Sequence, residues 1–331
     1  MIKRYLVEYL KDSKNLLAFS AGVDSTALFF LLKQHNISFD IAIVNYNLRE
    51  ESIKEVEYAK ELAVKYQKKL FLIDAPKIES NFEAKAREFR YNFFKKLLKE
   101  VSYKNLITAH QLNDKIEWFL MRFSKGAGVL TLSGMQELEK RDGFSIVRPL
   151  LEITKEELLE YLEQEQIRYF VDKSNFDKKY ERNRFRPIVD ELLKNKKEGF
   201  IKSFEFLVND ANLIKSGFKL KFKEKDLRII ELNSIEYAPN ALNFYLKELG
   251  FLVSYKEQLL IKEQKSIVVG RTWAVEIQDN LLYIAPYIKT IMPKPYKEKF
   301  RKLKIPPKVR GYIYNNNIDI LLHNLGLKKW H

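Results

Sequence analysis

The chain has 331 residues, enough for two domains of the usual ~100–200 residues, and a composition 46% hydrophobic and 13% aromatic excludes a wholly disordered chain. It contains no cysteine, which excludes disulfides, thiolate-held zinc, iron–sulfur clusters, a cysteine nucleophile and a persulfide carrier. The net charge of +15 is regional: residues 201–331 hold 23 Lys and Arg against 13 Asp and Glu, the first 200 residues 36 against 31.

From the start, residues 1–10 carry Lys3, Arg4 and Glu8 among apolar neighbours, which fits an amphipathic helix better than a signal peptide. The longest apolar run nearby, residues 27–32, is far short of the ~18–20 residues of a membrane span, so no membrane partner and a cytoplasmic location are expected. Short apolar runs at 15–19, 39–45, 70–73 and 105–109 predict buried strands. Between them, 25–34, 51–66 and 80–100 have helical periodicity, with a capping box expected at Ser80 and Glu83. This alternation predicts an α/β fold, a doubly wound parallel sheet with helices on both faces and ligands beyond the carboxyl ends of its strands.

Residues 124–135 hold Gly126, Gly128 and Gly134 and predict a long loop beside that edge. Helices are expected over 154–165, with Thr154 and Glu157 as a capping box, and over 182–194. Beyond about 205 the pattern changes to a helix at 235–249 and three short runs at 266–269, 272–277 and 281–285, a small meander. The expected division is a catalytic domain over 1–205 and a smaller α+β domain over 206–331. In the latter, residues 289–310 hold nine basic residues against Glu298 alone, with Tyr296 and Phe300 interleaved, a pattern suited to a polyanion or to a merely solvated surface.

The chemistry concentrates where the first strand ends. Ser20, Ala21, Gly22, Val23, Asp24 and Ser25 form a small, hydroxyl-flanked turn opening a helix, and Thr26 follows. Backbone N–H groups at a helix N-terminus attract phosphate, and small residues allow close approach. No Lys-Ser or Lys-Thr pair is present, so this is not a Walker loop. The turn also suits an ordinary connection capped by Asp24 or Ser25.

SAGVDS resembles the SGGxDS signature of the PP-loop ATP pyrophosphatases, with Ala21 in place of a glycine. Four further segments are similar to that superfamily. VNYNLR at 44–49 departs from its pattern at Tyr46 and Asn47. EAKAREFRY at 83–91 matches through Glu83, Ala86, Arg87, Arg90 and Tyr91. The segment from Thr108 departs through Gln111, Asn113, Lys115 and Trp118, and the last runs from Arg148 and Pro149 through Asp172, Ser174, Asn175 and Tyr180 to Arg182, Asn183, Arg184 and Arg186. Together, over about 15–195, they resemble the tRNA(Ile)-lysidine synthetase family.

That resemblance implies a ligase that joins free L-lysine to the wobble cytidine of tRNA(Ile) with a CAU anticodon, using ATP as co-substrate and Mg²⁺. It implies catalytic roles for Asp24, Asp114, Glu117 and Arg186. ATP would be held by Ser20, Ala21, Gly22, Val23, Asp24, Ser25, Thr26 and His110, lysine or tRNA by Arg87, Arg90, Arg182 and Asn183, and Mg²⁺ by Asp24 and Asp114. A homodimer is compatible with the chain. From the residues alone, Asp114 and Glu117 share a helix face and suit a metal, an amine or a capping box with Asp114 at the cap. His110 suits either the nucleotide pocket or a structural hydrogen bond, and Arg182 and Arg186, i and i+4, suit phosphate or a solvated surface. Two alternatives stay open: another PP-loop pyrophosphatase acting on a small molecule, and a non-catalytic RNA-binding relative. A tRNA thiolase is disfavoured by the missing cysteines.

Overall fold

The central strands of the first half are buried on both faces, and that fixes their arrangement. In the computed structural model, which describes residues 1–47, 51–78, 80–141, 143–171 and 181–318, α1 (Arg4–Lys11) leads into β1 (Asn15–Ala18), α2 (Val23–Gln34) and β2 (Phe39–Asn45). Then come α3 (Glu51–Lys65), β3 (Leu70–Asp74), α4 (Phe82–Glu100), β4 (Asn105–Ile107), α5 (Leu112–Phe123) and α6 (Val129–Leu132). A hairpin of β5 (Leu138–Arg141) and β6 (Phe144–Val147), α7 (Lys155–Gln164) and the long α8 (Glu181–Ser216) follow.

The sheet order is β3-β2-β1-β4-β6-β5, parallel except for the β5–β6 pair. Successive residues of a strand face opposite ways, and the sequence supplies an apolar side chain for each. Leu17, Ile41 and Ile107 pack with α1, α2, α3 and α7 on one face, while Leu16, Ala42 and Leu106 meet Phe94, Leu97 and Leu98 of α4 on the other. Each fully buried leucine contributes ~1.5–3 kcal/mol of transfer free energy. The order turns at β1, with β2 and β3 on one side and β4 on the other. Loops leaving the carboxyl ends of β1 and β4 therefore diverge and open a crevice, the usual ligand position in an open α/β sheet.

The chain divides into two compact units, Met1–Phe204 and Glu205–His331. The second unit contains an antiparallel sheet, β7 (Phe218–Glu224), β8 (Leu227–Leu232), β9 (Ser266–Val269), β10 (Trp273–Gln278) and β11 (Leu281–Pro286), in the order β7-β8-β11-β10-β9. Its helices are α9 (Ala238–Glu248), α10 (Tyr255–Gln264), α11 (Lys294–Lys302) and α12 (Arg310–Asn315). Phe300, Val309, Tyr312 and Ile313 from α11, α12 and their connection join Leu227, Ile229 and Tyr283 in one core.

Several expectations are corrected. The meander is part of a five-stranded sheet, because the alternating FKLKFKE of β7 pairs with β8. The helix expected over 182–194 continues to Ser216, with Pro187 inside it. The loop over 124–135 contains α6. No capping box forms at Ser80: Asn81 is the N-cap of α4, in the left-handed region (φ 50°) and without a side-chain cap, and Ser80 Oγ instead accepts from Lys85 Nζ. The box expected at Thr154 and Glu157 is present. The motif residues Leu48, Arg49, Asp172, Ser174, Asn175 and Tyr180, and His323 and His331, lie outside the described residues. Among the described residues, no helix is long and apolar enough to cross a membrane.

Candidate active site

The turn after β1 is held by its own hydroxyls. Ser20 N–H donates to Ser25 Oγ at 3.2 Å, the two Oγ atoms lie 3.1 Å apart, and Ser25 Oγ donates to the Gly22 carbonyl at 3.3 Å. Gly22 is the N-cap of α2, so neither Asp24 nor Ser25 caps it; Asp24 lies in the first turn. Ala21 has φ 57°, a left-handed conformation costing an alanine ~1–2 kcal/mol, and glycine would adopt it freely. The Ala21 carbonyl accepts from Phe170 N–H at 3.0 Å, tying the turn to the chain after α7.

Ser20 is exposed, Gly22 and Asp24 half-buried, and Ser25 buried. Ala21, Val23 and Thr26 are buried. Thr26 Oγ1 is buried without a hydrogen-bond partner among the described residues, and its N–H is donated to the Gly22 carbonyl.

The second wall begins at α5. A capping box does form there, three residues upstream of the expected one, with Gln111 as N-cap and Asp114 as the reciprocating acid. Gln111 N–H donates to Asp114 Oδ2 at 3.0 Å, while Asp114 Oδ1 is paired with Arg182 Nη2. Glu117, 1% exposed, accepts from Arg182 Nε at 2.5 Å and from Arg186 Nε at 3.2 Å. Arg182 and Arg186 do share a face of α8, but here that face meets carboxylates. Asn113, buried, cross-links three elements: Nδ2 donates to Asp190 Oδ1 at 2.8 Å, and Oδ1 accepts from Lys155 N–H at 3.0 Å.

The electrostatics of the two walls differ. Burial, then the charge of Asp114, pushes the Asp24 carboxyl up to about 7, against the fields of Lys155, Arg182 and Arg186. Burial also raises Glu117, opposed by Arg182 and Arg186. Burial pushes His110 down to about 4, so its imidazole is neutral near pH 7; Nδ1 lies 2.9 Å from Thr108 Oγ1, the structural bond anticipated as one option.

Asp24, Asp114, Glu117 and Arg186 converge on one pocket of about 60 Å³. Gln111, Asn113, Lys155 and Asp190 complete its lining. Sequence reasoning passed over Lys155 and Asp190, whose places depend on Asn113 contacts 42 and 77 residues away. Arg87, Arg90, Asn183, Arg182 and His110 do not line this pocket. Arg87 is exposed with its guanidinium 4.9 Å from the centre of the Tyr91 ring, yet its charge reaches His110. Tyr46, which replaces a family histidine, donates from Oη to the Ala86 carbonyl at 2.9 Å.

Magnesium fits the Asp24 end of the pocket. Asp24 Oδ1 is buried with no hydrogen-bond partner among the described residues, and a second carboxylate stands close enough to raise its pKa. A dication would relieve both. Among the described residues no group of three or more His, Cys, Asp or Glu is placed to hold a metal, so phosphate and water oxygens would complete the shell, as is usual for this ion.

Comparison with known proteins agrees with this geometry. A family model described as a PP-loop domain matches residues 1–193. The tRNA(Ile)-lysidine synthase of Wolinella succinogenes is 43% identical, over 95% of this chain and 97% of that protein. Those of Campylobacter jejuni (strain RM1221) and Helicobacter pylori (strain 26695) are 39% and 40% identical, over 96% and 93% of this chain and 98% and 91% of theirs. Among solved structures, the U34-tRNA thiolase NcsA of Methanococcus maripaludis shares the fold, with a TM-score of 0.52 at 19% identity over 61% of this chain and 74% of that one. With a PP-loop turn on the strand where the sheet order reverses, and relatives matching nearly end to end, the chain belongs to the tRNA(Ile)-lysidine synthase family of PP-loop proteins.

Proposed function

We propose that this chain joins free L-lysine to C2 of the wobble cytidine in tRNA(Ile) with a CAU anticodon, by way of an adenylated cytidine, releasing AMP and diphosphate. In the first step the cytidine C2 oxygen forms a bond to the α-phosphorus of ATP and the bond to the diphosphate oxygen breaks. In the second, the lysine ε-nitrogen bonds to C2, the C2–O bond breaks, AMP leaves with that oxygen, and the amine gives up a proton.

The observation that carries this reading is the Asp24 oxygen without a partner among the described residues, beside the turn that opens α2. The amides of that turn and Ser20 receive the β- and γ-phosphoryl groups. Asp24 and Asp114 would hold magnesium, which would supply charge neutralisation at the phosphates. Asp114 also accepts the lysine proton: its side chain is 15% exposed at the pocket, whereas that of Glu117 is 2% exposed beneath two arginines. Glu117 orients Arg182 and Arg186, and Arg186 faces the α-phosphate, where its guanidinium can offset charge in the transition state. Neutral His110 shapes the nucleotide pocket, Arg87 and Arg90 on α4 meet the anticodon backbone, and Asn183 on α8 serves lysine or tRNA binding.

The C-terminal unit grips the tRNA backbone. Its support is the exposed basic surface of α11, where Lys294, Lys297, Lys299, Arg301 and Lys302 face solvent around the inward Phe300. Activating a base oxygen requires a single-stranded loop to be splayed open, which fits recognition of an anticodon loop. The enzyme works in the cytoplasm, where ATP, lysine and tRNA meet.

Mass spectrometry of tRNA(Ile) incubated with the purified protein, ATP and isotopically labelled lysine tests the reading. Labelled lysine on the wobble cytidine, dependent on ATP, is the expected result. Unmodified tRNA with label on a small metabolite contradicts it.

A further inference from the structure

The turn after β1 lacks the lysine that a Walker loop places against its phosphates, yet a lysine reaches the same pocket from another element. Lys155 is the first residue of α7, and its side chain lines the pocket together with Asp24, Asp114 and Arg186. Its position is fixed by backbone contacts. Lys155 N–H donates to Asn113 Oδ1 at 3.0 Å, and the helix start is set by the Thr154 and Glu157 capping box. Leu158 and Leu162 of α7 pack into the same core as Ala27, Leu28 and Leu31 of α2, which holds the two helices together.

Two features separate Lys155 from its cationic neighbours. The other cations near this region are committed: Arg182 to Asp114 and Glu117, Arg186 to Glu117, Lys197 to Glu157 at 2.6 Å. The half-buried Lys155 ammonium makes no hydrogen bond or ion pair among the described residues. It also sits where the helix macrodipole disfavours a cation, at the N-terminal end, which is worth ~0.3–1 kcal/mol against it. A helix-forming preference alone does not account for a lysine there. An anion drawn to the α2 N-terminus does, because it would add a partner to an ammonium that faces the pocket unpaired.

We propose that Lys155 is a catalytic residue that binds the leaving diphosphate of ATP, standing in from α7 for the lysine missing in the turn. When the bond between the α-phosphorus and the bridging oxygen breaks, negative charge gathers on the diphosphate. The Lys155 ammonium meets that charge by a hydrogen bond and keeps its proton. The inference rests on the proposed use of ATP, and it assigns a substrate group to a residue outside the turn. Lys155 and Asp24 line the same pocket, and the Lys155 charge favours the ionised form of that carboxylate.

The test is equilibrium binding of inorganic diphosphate and of AMP, each with Mg²⁺, to the full chain and to Lys155→Met and Lys155→Arg. Lys155→Met should weaken diphosphate by ~10- to 100-fold, the loss of one charge-assisted hydrogen bond, and leave AMP within ~2-fold. Lys155→Arg should recover most of the loss. Unchanged diphosphate binding, or equal weakening of AMP and diphosphate, overturns the proposal and leaves Lys155 as a counter-charge for the carboxylates. If circular dichroism shows Lys155→Met unfolded, Lys155→Gln is titrated against the same two outcomes. The titrations need no tRNA, so a wild-type chain that failed to modify tRNA would overturn the proposed function without altering this result.

Discussion

The two walls of the pocket are built on opposite terms. The α5–α8 wall is saturated: Asp114, Glu117, Arg182 and Arg186 satisfy one another, and Asn113 uses both ends of its amide. The wall formed by the turn after β1 is left wanting, with a buried Asp24 oxygen unpartnered and a carboxyl pushed up to about 7 by burial. A buried polar atom without a partner costs ~1–3 kcal/mol, so it persists where a ligand completes it. Glu117 and Arg182 therefore read as scaffold and Asp24 as receptor, while Asp114 and Arg186 are held by the scaffold at the pocket lining.

The largest expected effect breaks the scaffold. Replacing Arg182 and Arg186 together by Met leaves Glu117 buried without its partners, and an uncompensated buried charge costs ~3–5 kcal/mol. Urea unfolding at pH 8 checks this; a loss below ~1 kcal/mol would mean that these ion pairs do not hold the wall together.

Next, Asp24→Asn should lower adenylation by ~10²–10³-fold, the usual effect of losing one electrostatic contact to a developing charge, without lowering stability at pH 8. Removing a half-buried carboxylate whose Oδ1 has no partner among the described residues relieves the fold. Wild-type turnover in this variant, followed as diphosphate release, would remove Asp24 from the receptor wall.

A third comparison sets Asp24 against His110. The folded chain holds a proton on Asp24 between pH 3.8 and about 7 that the unfolded chain has released, so this group's contribution to stability falls as pH rises through that window. His110 has the opposite sign: between about 4 and 6.5 the unfolded chain holds a proton that the folded chain does not, so its contribution rises with pH. The two oppose each other in the wild type. Unfolding of metal-free protein across pH 4–7 should show Asp24→Asn gaining on wild type as pH rises and His110→Asn losing, each by at most ~1.4 kcal/mol per pH unit. Difference curves that run flat would contradict the assigned environments.

The smallest effect concerns Ala21. Ala21→Gly relieves the left-handed strain of ~1–2 kcal/mol, but it loosens the unfolded chain by ~0.4–1 kcal/mol and removes a buried methyl. Thermal unfolding should place it within ~1 kcal/mol of wild type, with nucleotide affinity retained. A larger loss would make the methyl a packing element of the turn.

Much of the first unit is legible in the chain because β1, β2 and β4 need apolar side chains on both faces, and their runs stand out between helical stretches. The second unit is less so. The alternating lysines of β7 give it a clear period of two, yet a strand rich in charge is easily taken for a solvated segment. At the site, i and i+4 spacing places Arg182 and Arg186 on one face correctly but cannot say what that face meets, since Glu117 lies 65 residues before Arg182. The family motif supplies Asp24 and Asp114. Lys155 and Asp190 enter only through Asn113, whose two amide contacts exist once α5, α7 and α8 are assembled.

A structure with magnesium and a non-hydrolysable ATP analogue tests the central claim most directly. The account places the β- and γ-phosphoryl groups against the amides of residues 20–25, with the metal on Asp24 Oδ1 and the α5–α8 ion pairs intact. Phosphoryl groups lodged away from that turn, with Asp24 still unpartnered, would contradict it.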